Sequence, residues 1–495
     1  MICEADAEKV AHAPLVLATY CARYTHTALG LRWLVANLDN DVPKPAWYEF
    51  EMRLSPSAAV ERILRHRPRV VALGVYIWNV ERTVELVRLL RAQSPELVIV
   101  LGGPEVSAAP HEFPAFDLID TVIVGEAEIV FGDLCRCWLA GERPVERVIY
   151  APLPDLGQLA LPYHLYTDKD LQTRHIYVET TRGCPYRCDF CTSGGVEPLR
   201  NFPLEATLME VQQLAERGAR TLRFVDRTFN AKPARAAAIL NALLPWAKQG
   251  LRVHLEFTPQ AKYHEDLQAA LCAWPVGQLH IEVGVQSLNH EVARRIRRPG
   301  ITEAEAALSY LIRVAGADVH VDLIAGLPGE DERSIAASFD RLWALGPQEI
   351  QLGVLKHLPG TALDRHLEEW EMQFASEPPY ALMHSKTLSS EALHRITCFA
   401  AYWERLANHR HFPRSIELIL QTDASPYRAF MRWSVWLFQR VGRAHSLALE
   451  DLLTDLYLYL TQEQQLSPDE TRRAQALDFL AEGRRPERAM PKILR

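Results

Sequence analysis

The sequence predicts an α/β protein built as two successive parallel βα units followed by a mostly α-helical unit. Two observations predict it. Short β-branched or apolar runs alternate with helical patterns as far as Val354, which is the signature of parallel βα units. Beyond Val354 the strand-like runs stop and apolar residues recur at helical spacing.

In the first unit the strand-like runs are Leu15–Thr19, Trp47–Phe50, Val70–Tyr76, Leu97–Leu101 and Thr121–Val124, giving a five-stranded doubly wound sheet. The apolar stretch Val70–Trp78 is expected as a buried strand, being too short to span a bilayer. Such a sheet binds ligands at the carboxyl ends of its strands. The strand ends here read Gly102-Gly103-Pro104-Glu105 and Gly125-Glu126, where glycines let backbone approach a ligand closely.

The second unit has runs at Ile176–Thr181, Thr221–Asp226, Arg252–Phe257, Leu279–Val285, Asp318–Ile324 and Glu349–Val354. Between the first two, Leu204, Leu208, Val211 and Leu214 mark one buried helix face, closed by Gly218. Six such units make a partial (β/α)6 barrel whose chemistry is expected where the strands end. The third unit carries an apolar face at Leu449, Leu452, Leu453, Leu456 and Leu460, with Trp403, Trp433 and Trp436 as core candidates. The turn Glu377-Pro378-Pro379-Tyr380 is expected near the barrel mouth.

The chain has 495 residues, 48% hydrophobic composition and net charge -8, which supports several domains and disfavours a polyanion bound by the whole surface. Basic clusters at Arg294–Arg298 and Arg484–Arg495 read as solvated helix faces or termini. Nine cysteines without regular spacing describe no disulfide framework. Met1–His12 lacks a signal-peptide core, and no apolar run approaches the roughly 20 residues of a membrane span. A soluble, cytoplasmic protein is the expectation.

Cys184, Cys188 and Cys191 form a C-x-x-x-C-x-x-C run in a loop opened by Gly183 and turned by Pro185. Four thiolates complete a cubic four-iron cluster and four ligands complete a structural zinc site. Three leave one iron free for a substrate. Unpaired thiols, or a zinc site completed by a histidine, are the plain alternatives.

This run resembles the radical S-adenosylmethionine (SAM) superfamily, with Phe190 as the aromatic residue usual before the third cysteine. The resemblance implies a 4Fe-4S cluster held by Cys184, Cys188 and Cys191, with SAM on the fourth iron and cleaved to a 5′-deoxyadenosyl radical. It implies SAM contacts from Phe190, from Asp226, Thr228 and Asn230 after the second strand, from Glu256, from Glu282, Gln286 and Ser287 on the fourth, and from Gly326 in an adenine-side turn. Carboxylates and amides there suit an ammonium group and ribose hydroxyls.

The first unit, placed directly before such a barrel, resembles the flavodoxin-like cobalamin-binding domain of cobalamin-dependent radical SAM enzymes. The resemblance implies cobalamin contacts from Tyr76, Trp78, Gly102, Gly103, Pro104, Glu105, Gly125 and Glu126. His26 stands as a weak candidate cobalt ligand: no aspartate lies two residues before it, and Gly30 comes one residue late for D-x-H-x-x-G. Otherwise the lower face is open or covered by Tyr76-Ile77-Trp78-Asn79, or the domain is a vestige. The implied division is 1–150 cobalamin-binding, 151–170 linker, 171–360 barrel and 361–495 helical. The C-terminal unit resembles the extension of a poorly characterised subgroup.

The resemblance implies methylation of an unactivated carbon via methylcobalamin. Alternatives within it are a rearrangement, cyclisation or electron transfer without methyl transfer. An RNA-modifying radical SAM enzyme is a further reading, for which Cys3, Cys21, Cys135 and Cys137 are badly spaced. A small molecule or peptide is the favoured substrate over nucleic acid, with flavodoxin or ferredoxin as reductant.

Overall fold

The computed structural model describes residues 12–194, 198–260 and 262–481. Cys3 and the whole basic tail Arg484–Arg495 therefore lie outside the described residues. No helix among them is long and apolar enough to cross a membrane.

The first sheet contains β1 (Leu15–Cys21), β2 (Ala46–Glu51), β3 (Val70–Gly74), β4 (Val98–Gly102), β5 (Thr121–Val124) and β6 (Val148–Tyr150), all parallel, in the order 2-1-3-4-5-6. Five strands were expected and six form. Strand β6 is a three-residue edge whose Tyr150 is 71% exposed, too short and too wet to show as an apolar run. Strand β3 also stops earlier than the apolar stretch suggests. Asn79 accepts from the Tyr76 N–H at 2.8 Å and donates to Thr19 Oγ1 and the Tyr20 carbonyl, turning the chain and leaving Trp78 46% exposed.

The barrel strands are β7 (Ile176–Val178), β10 (Thr221–Phe224), β11 (Arg252–Phe257), β12 (Leu279–Gln286), β13 (Asp318–Ala325) and β14 (Glu349–Val354), parallel in the order 14-13-12-11-10-7. A two-residue hairpin, β8 (Thr181–Arg182) with β9 (Arg200–Asn201), brackets the cysteine loop. The first expected strand is split after Val178, because the Thr180 N–H donates to Asp226 rather than to a ladder. On β12, Leu279, Ile281, Val283 and Val285 are buried while the residues between them are half-buried and polar or glycine. The apolar residues pack into the core and the polar alternation lines the barrel interior.

Past β14 the chain forms a small hairpin, β15 (Gln373–Phe374) with β16 (Leu382–His384), before the helices begin at Ser390. Prolines at 359, 378 and 379 keep this stretch out of helix. The helical unit then packs on the barrel through Trp403 against Phe339, 4.8 Å between ring centroids, with Phe399, Tyr427 and Phe430 around them. Leu452, Leu453, Leu456 and Leu460 are buried with Trp403 and Trp433 in a core continuous with that of the barrel.

Buried ion pairs fix the first unit to the second. Arg32 lies between Glu49 at 2.5 Å and Asp170 at 3.5 Å, and Arg174 also reaches Glu49. Arg182 holds Glu126 at 2.6 Å, Glu128 at 2.6 Å and Glu179 at 3.0 Å. Such pairs add little net stability over apolar packing, but losing one partner strands a buried charge at a cost of about 3–5 kcal/mol.

Candidate functional site

The cysteine loop leaves β8 at the carboxyl end of the barrel. Gly194 closes it tightly, since a Cβ there would sit 2.4 Å from the Cys188 carbonyl oxygen. Cys184, Cys188 and Cys191 line a cavity of about 130 Å³ together with Tyr186, Phe190, Arg227, Thr228, Glu256, Glu282, Gln286, Arg298 and Asp322. Thr228 Oγ1 lies 3.7 Å from Cys184 Sγ, and Arg298 Nη1 donates to Cys188 Sγ at 3.8 Å.

The three sulfurs do not fit one ion. Zinc at about 2.3 Å from each sulfur would hold them roughly 3.8 Å apart. The single His/Cys/Asp/Glu group among the described residues whose ligand atoms all lie within 4.8 Å of one another is elsewhere. A wider spacing suits a multi-iron cluster, in which each thiolate binds a different iron.

The wall opposite the cysteines is acidic. Burial, with little relief from Arg227 3.9 Å away, pushes Glu256 up to about 7. Asp322 is pushed up to about 6, by burial first. Gln286 adopts a φ of +70°, and its Oε1 is buried without a partner. These two buried carboxyl groups and the idle amide oxygen fit a cationic, hydroxylated ligand such as SAM.

Of the expected SAM contacts, Phe190, Thr228, Glu256, Glu282 and Gln286 line this cavity. Four others lie outside its lining. Asp226 is fully buried and accepts from the Thr180 N–H and from the Thr180 and Thr181 hydroxyls, tying β10 to the split first strand. Asn230 is spent on both backbone groups of Thr258. Ser287 donates to Glu330 beneath the cavity. Gly326 backs onto Leu382, 2.4 Å from where a Cβ would sit. Asp226, Asn230 and Ser287 thus each have protein partners for their side-chain polar atoms.

Two larger cavities open at the carboxyl ends of the first sheet. One, about 580 Å³, is lined by Gly74, Tyr76, Gly102, Gly103, Pro104, Gly125, Glu126 and Arg182. The other, about 680 Å³, is lined by Tyr20, Cys21, His26, Tyr76, Trp78, Glu105, Tyr177, Leu358 and Pro359. They share Leu29, Gly30, Tyr76, Pro104, Val225 and Arg227. Gly103, at φ +109°, lets the backbone pass where a Cβ would lie 2.5 Å from the Val75 carbonyl oxygen. This glycine-lined, largely apolar space fits a large flat cofactor.

Tyr76 and Trp78 stack 4.6 Å apart, and the indole Nε1–H donates to the Tyr20 carbonyl at 2.9 Å. Glu105 accepts from the Tyr380 hydroxyl, which brings the turn at 377–380 to the first unit's cavity rather than to the cysteine cavity of the barrel. Glu126 also lines this space, its carboxylate tied to Arg182 and Arg200. His26 lines the second cavity with Nδ1 2.6 Å from the Tyr177 hydroxyl.

The basic cluster at 294–298 is another correction. Arg294 pairs with Glu291, but Arg295 donates to the Pro328 carbonyl and stacks on Trp370, Arg297 pairs with Asp189, and Arg298 serves Cys188. Two of the four arginines, Arg297 and Arg298, thus brace the cysteine loop.

The barrel strands carry a further repeat. His254-Leu255-Glu256, His280-Ile281-Glu282 and His320-Val321-Asp322 repeat a histidine two residues before an acid on three successive strands. The acids line the cluster cavity; the histidines form a layer below it, with His254 and His280 ring centroids 4.2 Å apart. Despite burial, Asp322, Glu282 and Glu349 lift His320 to about 9. Burial and the neighbouring histidines push His280 down to about 3.

Against known protein families, residues 178–342 match the radical SAM superfamily and residues 15–134 match the B12 binding domain. The chain carries a radical SAM domain preceded by a B12-binding domain. Residues 368–495 of this radical SAM chain match a family described as a protein of unknown function (DUF4080). The two named domains imply a 4Fe-4S cluster, SAM and cobalamin.

Relatives include the 2-(S-pantetheinyl)-carbapenam-3-carboxylate methyltransferase of Streptantibioticus cattleyicolor, 28% identical over 331 residues, 59% of this chain and 48% of the relative. The cobalamin-dependent radical SAM methyltransferase TokK of Streptomyces tokunonensis is 27% identical, with the same shares of 59% and 48%. The chain thus spans about half the length of these curated relatives. Among solved structures, the radical SAM methyltransferase TsrM from Kitasatospora setae shares the fold with a TM-score of 0.60 at 18% identity, over 76% of this chain and 80% of that one.

Proposed function

We propose that this protein is a cobalamin-dependent radical SAM methyltransferase acting on an unactivated carbon of a small molecule or peptide. The observation that carries the proposal is the position of Arg227. It lines the cysteine cavity and both cavities of the first sheet, so the three spaces meet at one half-exposed guanidinium. Methylating an inert carbon requires a hydrogen-abstracting group and a methyl donor to reach the same atom, and a shared junction between the cavities meets that requirement. The methyltransferase names of the relatives support the reading.

In this proposal Cys184, Cys188 and Cys191 hold the cluster. Phe190, Thr228, Glu256, Glu282 and Gln286 hold SAM. Gly102, Gly103, Pro104, Gly125, Tyr76 and Trp78 shape the cobalamin space, with Glu105 and Glu126 at its polar edge. When bound, the cluster and SAM supply a hydrogen-abstracting radical and cobalamin supplies a methyl group. The chain's own part is positional. The acids opposite the cysteines set the charge of the SAM site, Arg227 offers a cation at the junction to an anionic substrate group, and the Tyr380 turn lies at the first unit's cavity. A small electron-transfer protein such as flavodoxin or ferredoxin is the proposed reductant. The proposed division is 1–150, 151–170, 171–360 and 361–495.

The test uses anaerobically reconstituted full-length protein. Iron and cobalamin content are measured first, then SAM products after reduction. Bound cobalamin, with 5′-deoxyadenosine and S-adenosylhomocysteine both formed and the former abolished by Cys188→Ala, supports the reading. Deoxyadenosine without bound cobalamin overturns methyl transfer.

A further inference from the structure

We infer that His280, His320 and Glu349 form a site for a divalent transition-metal ion at the amino end of the barrel, separate from the cluster. They come from β12, β13 and β14, which are hydrogen-bonded neighbours, and His320 is paired directly with Glu349 in the register. One ligand atom from each lies within 4.8 Å of the other two, and all three residues are half-buried. Each ligand histidine lies two residues before an acid that lines the cluster cavity, about 7 Å along the strand.

His320 stands between two carboxylates. Its Nδ1 lies 3.4 Å from Glu349 Oε2, and its Nε2 lies 3.2 Å from Asp322 Oδ1. Two ligand atoms about 2.1 Å from one ion and this far apart subtend about 108°, close to tetrahedral. Asp322 lies beside the far ring nitrogen, the place of a partner that orients a ligating imidazole, although Nε2 makes no hydrogen bond in this geometry. His280 supplies a second imidazole, its ring edge-on to that of His320 at 5.8 Å between centroids, and His254 packs against its other side. Two imidazoles and one carboxylate with room for further ligands suit a borderline ion such as Zn²⁺ or Fe²⁺ rather than Mg²⁺ or Ca²⁺.

The inference does not rest on methyl transfer. Untagged, reconstituted full-length protein is equilibrated by dialysis against Zn²⁺, and zinc is counted by elemental mass spectrometry alongside iron and cobalamin. One zinc per chain, lost in both His280→Ala and Glu349→Gln while iron and cobalamin content stay constant, is the expected result. X-ray absorption at the zinc edge should show only nitrogen and oxygen neighbours. Sulfur neighbours at about 2.3 Å would place the ion on cysteines and overturn the site. So would zinc content unchanged in Glu349→Gln, whose side chain is 33% exposed and leaves the core intact, or no zinc above background.

Discussion

Arg298 donates from Nη1 to the Cys188 sulfur at 3.8 Å and from Nη2 to the Gly284 carbonyl. One guanidinium thereby links a cluster cysteine to the strand whose Glu282 and Gln286 line the same cavity. A donor to a cluster sulfur stabilises the reduced, more negative state.

Arg298→Ala should therefore shift the cluster's reduction potential to more negative values and weaken iron retention by about 10-fold or more. Electron paramagnetic resonance during a redox titration of the reconstituted protein reads the potential. An unchanged potential with reduced iron would reassign Arg298 to bracing the loop alone.

Gly103 should not tolerate a side chain. Alanine would meet the Val75 carbonyl oxygen at 2.5 Å and sit at φ +109°. Gly103→Ala should cost about 1–3 kcal/mol and lower cobalamin content, while iron content stays at the wild-type level. Parallel melting curves and cofactor assays check this; full cobalamin retention would remove the glycine turn from the cobalamin site.

Glu330 is 1% exposed, and burial pushes it up to about 7 from 4.5 despite hydrogen bonds from Ser287 and Ser334. A carboxyl with a folded pKa above its unfolded value costs the fold nothing below pH 4.5, and the cost grows as pH rises toward 7. Glu330→Gln should thus stabilise the protein at pH 8, by up to about 3 kcal/mol, and leave it nearly unchanged at pH 4.5. Equal shifts at both pH values, read by chemical denaturation, would show that the charge is not the cause.

Tyr380 ties the segment after the barrel to the first sheet through Glu105. Tyr380→Phe should cost only about 0.5–1.5 kcal/mol. Its larger effect should be local, as faster amide exchange in residues 102–108 and 377–381. Hydrogen exchange read by mass spectrometry distinguishes this from uniform destabilisation.

What the sequence determined by itself is what chain-local spacing carries. The interval between Cys184, Cys188 and Cys191 sets the ligand count of the cluster, and the alternation of apolar runs sets two parallel sheets in order, short only of the wet edge strand β6. Tertiary structure decided which side of each strand end faces the ligand. Asp226 and Asn230 carry the right chemistry at the right place in the chain, yet turn inward to Thr180, Thr181 and Thr258. Neighbouring strands also had to be in register before His280, His320 and Glu349 could meet. The reason is that a hydrogen bond or an ion site depends on distances between residues tens of positions apart. Periodicity along the chain fixes a residue's face relative to its own element, and only packing fixes what that face meets.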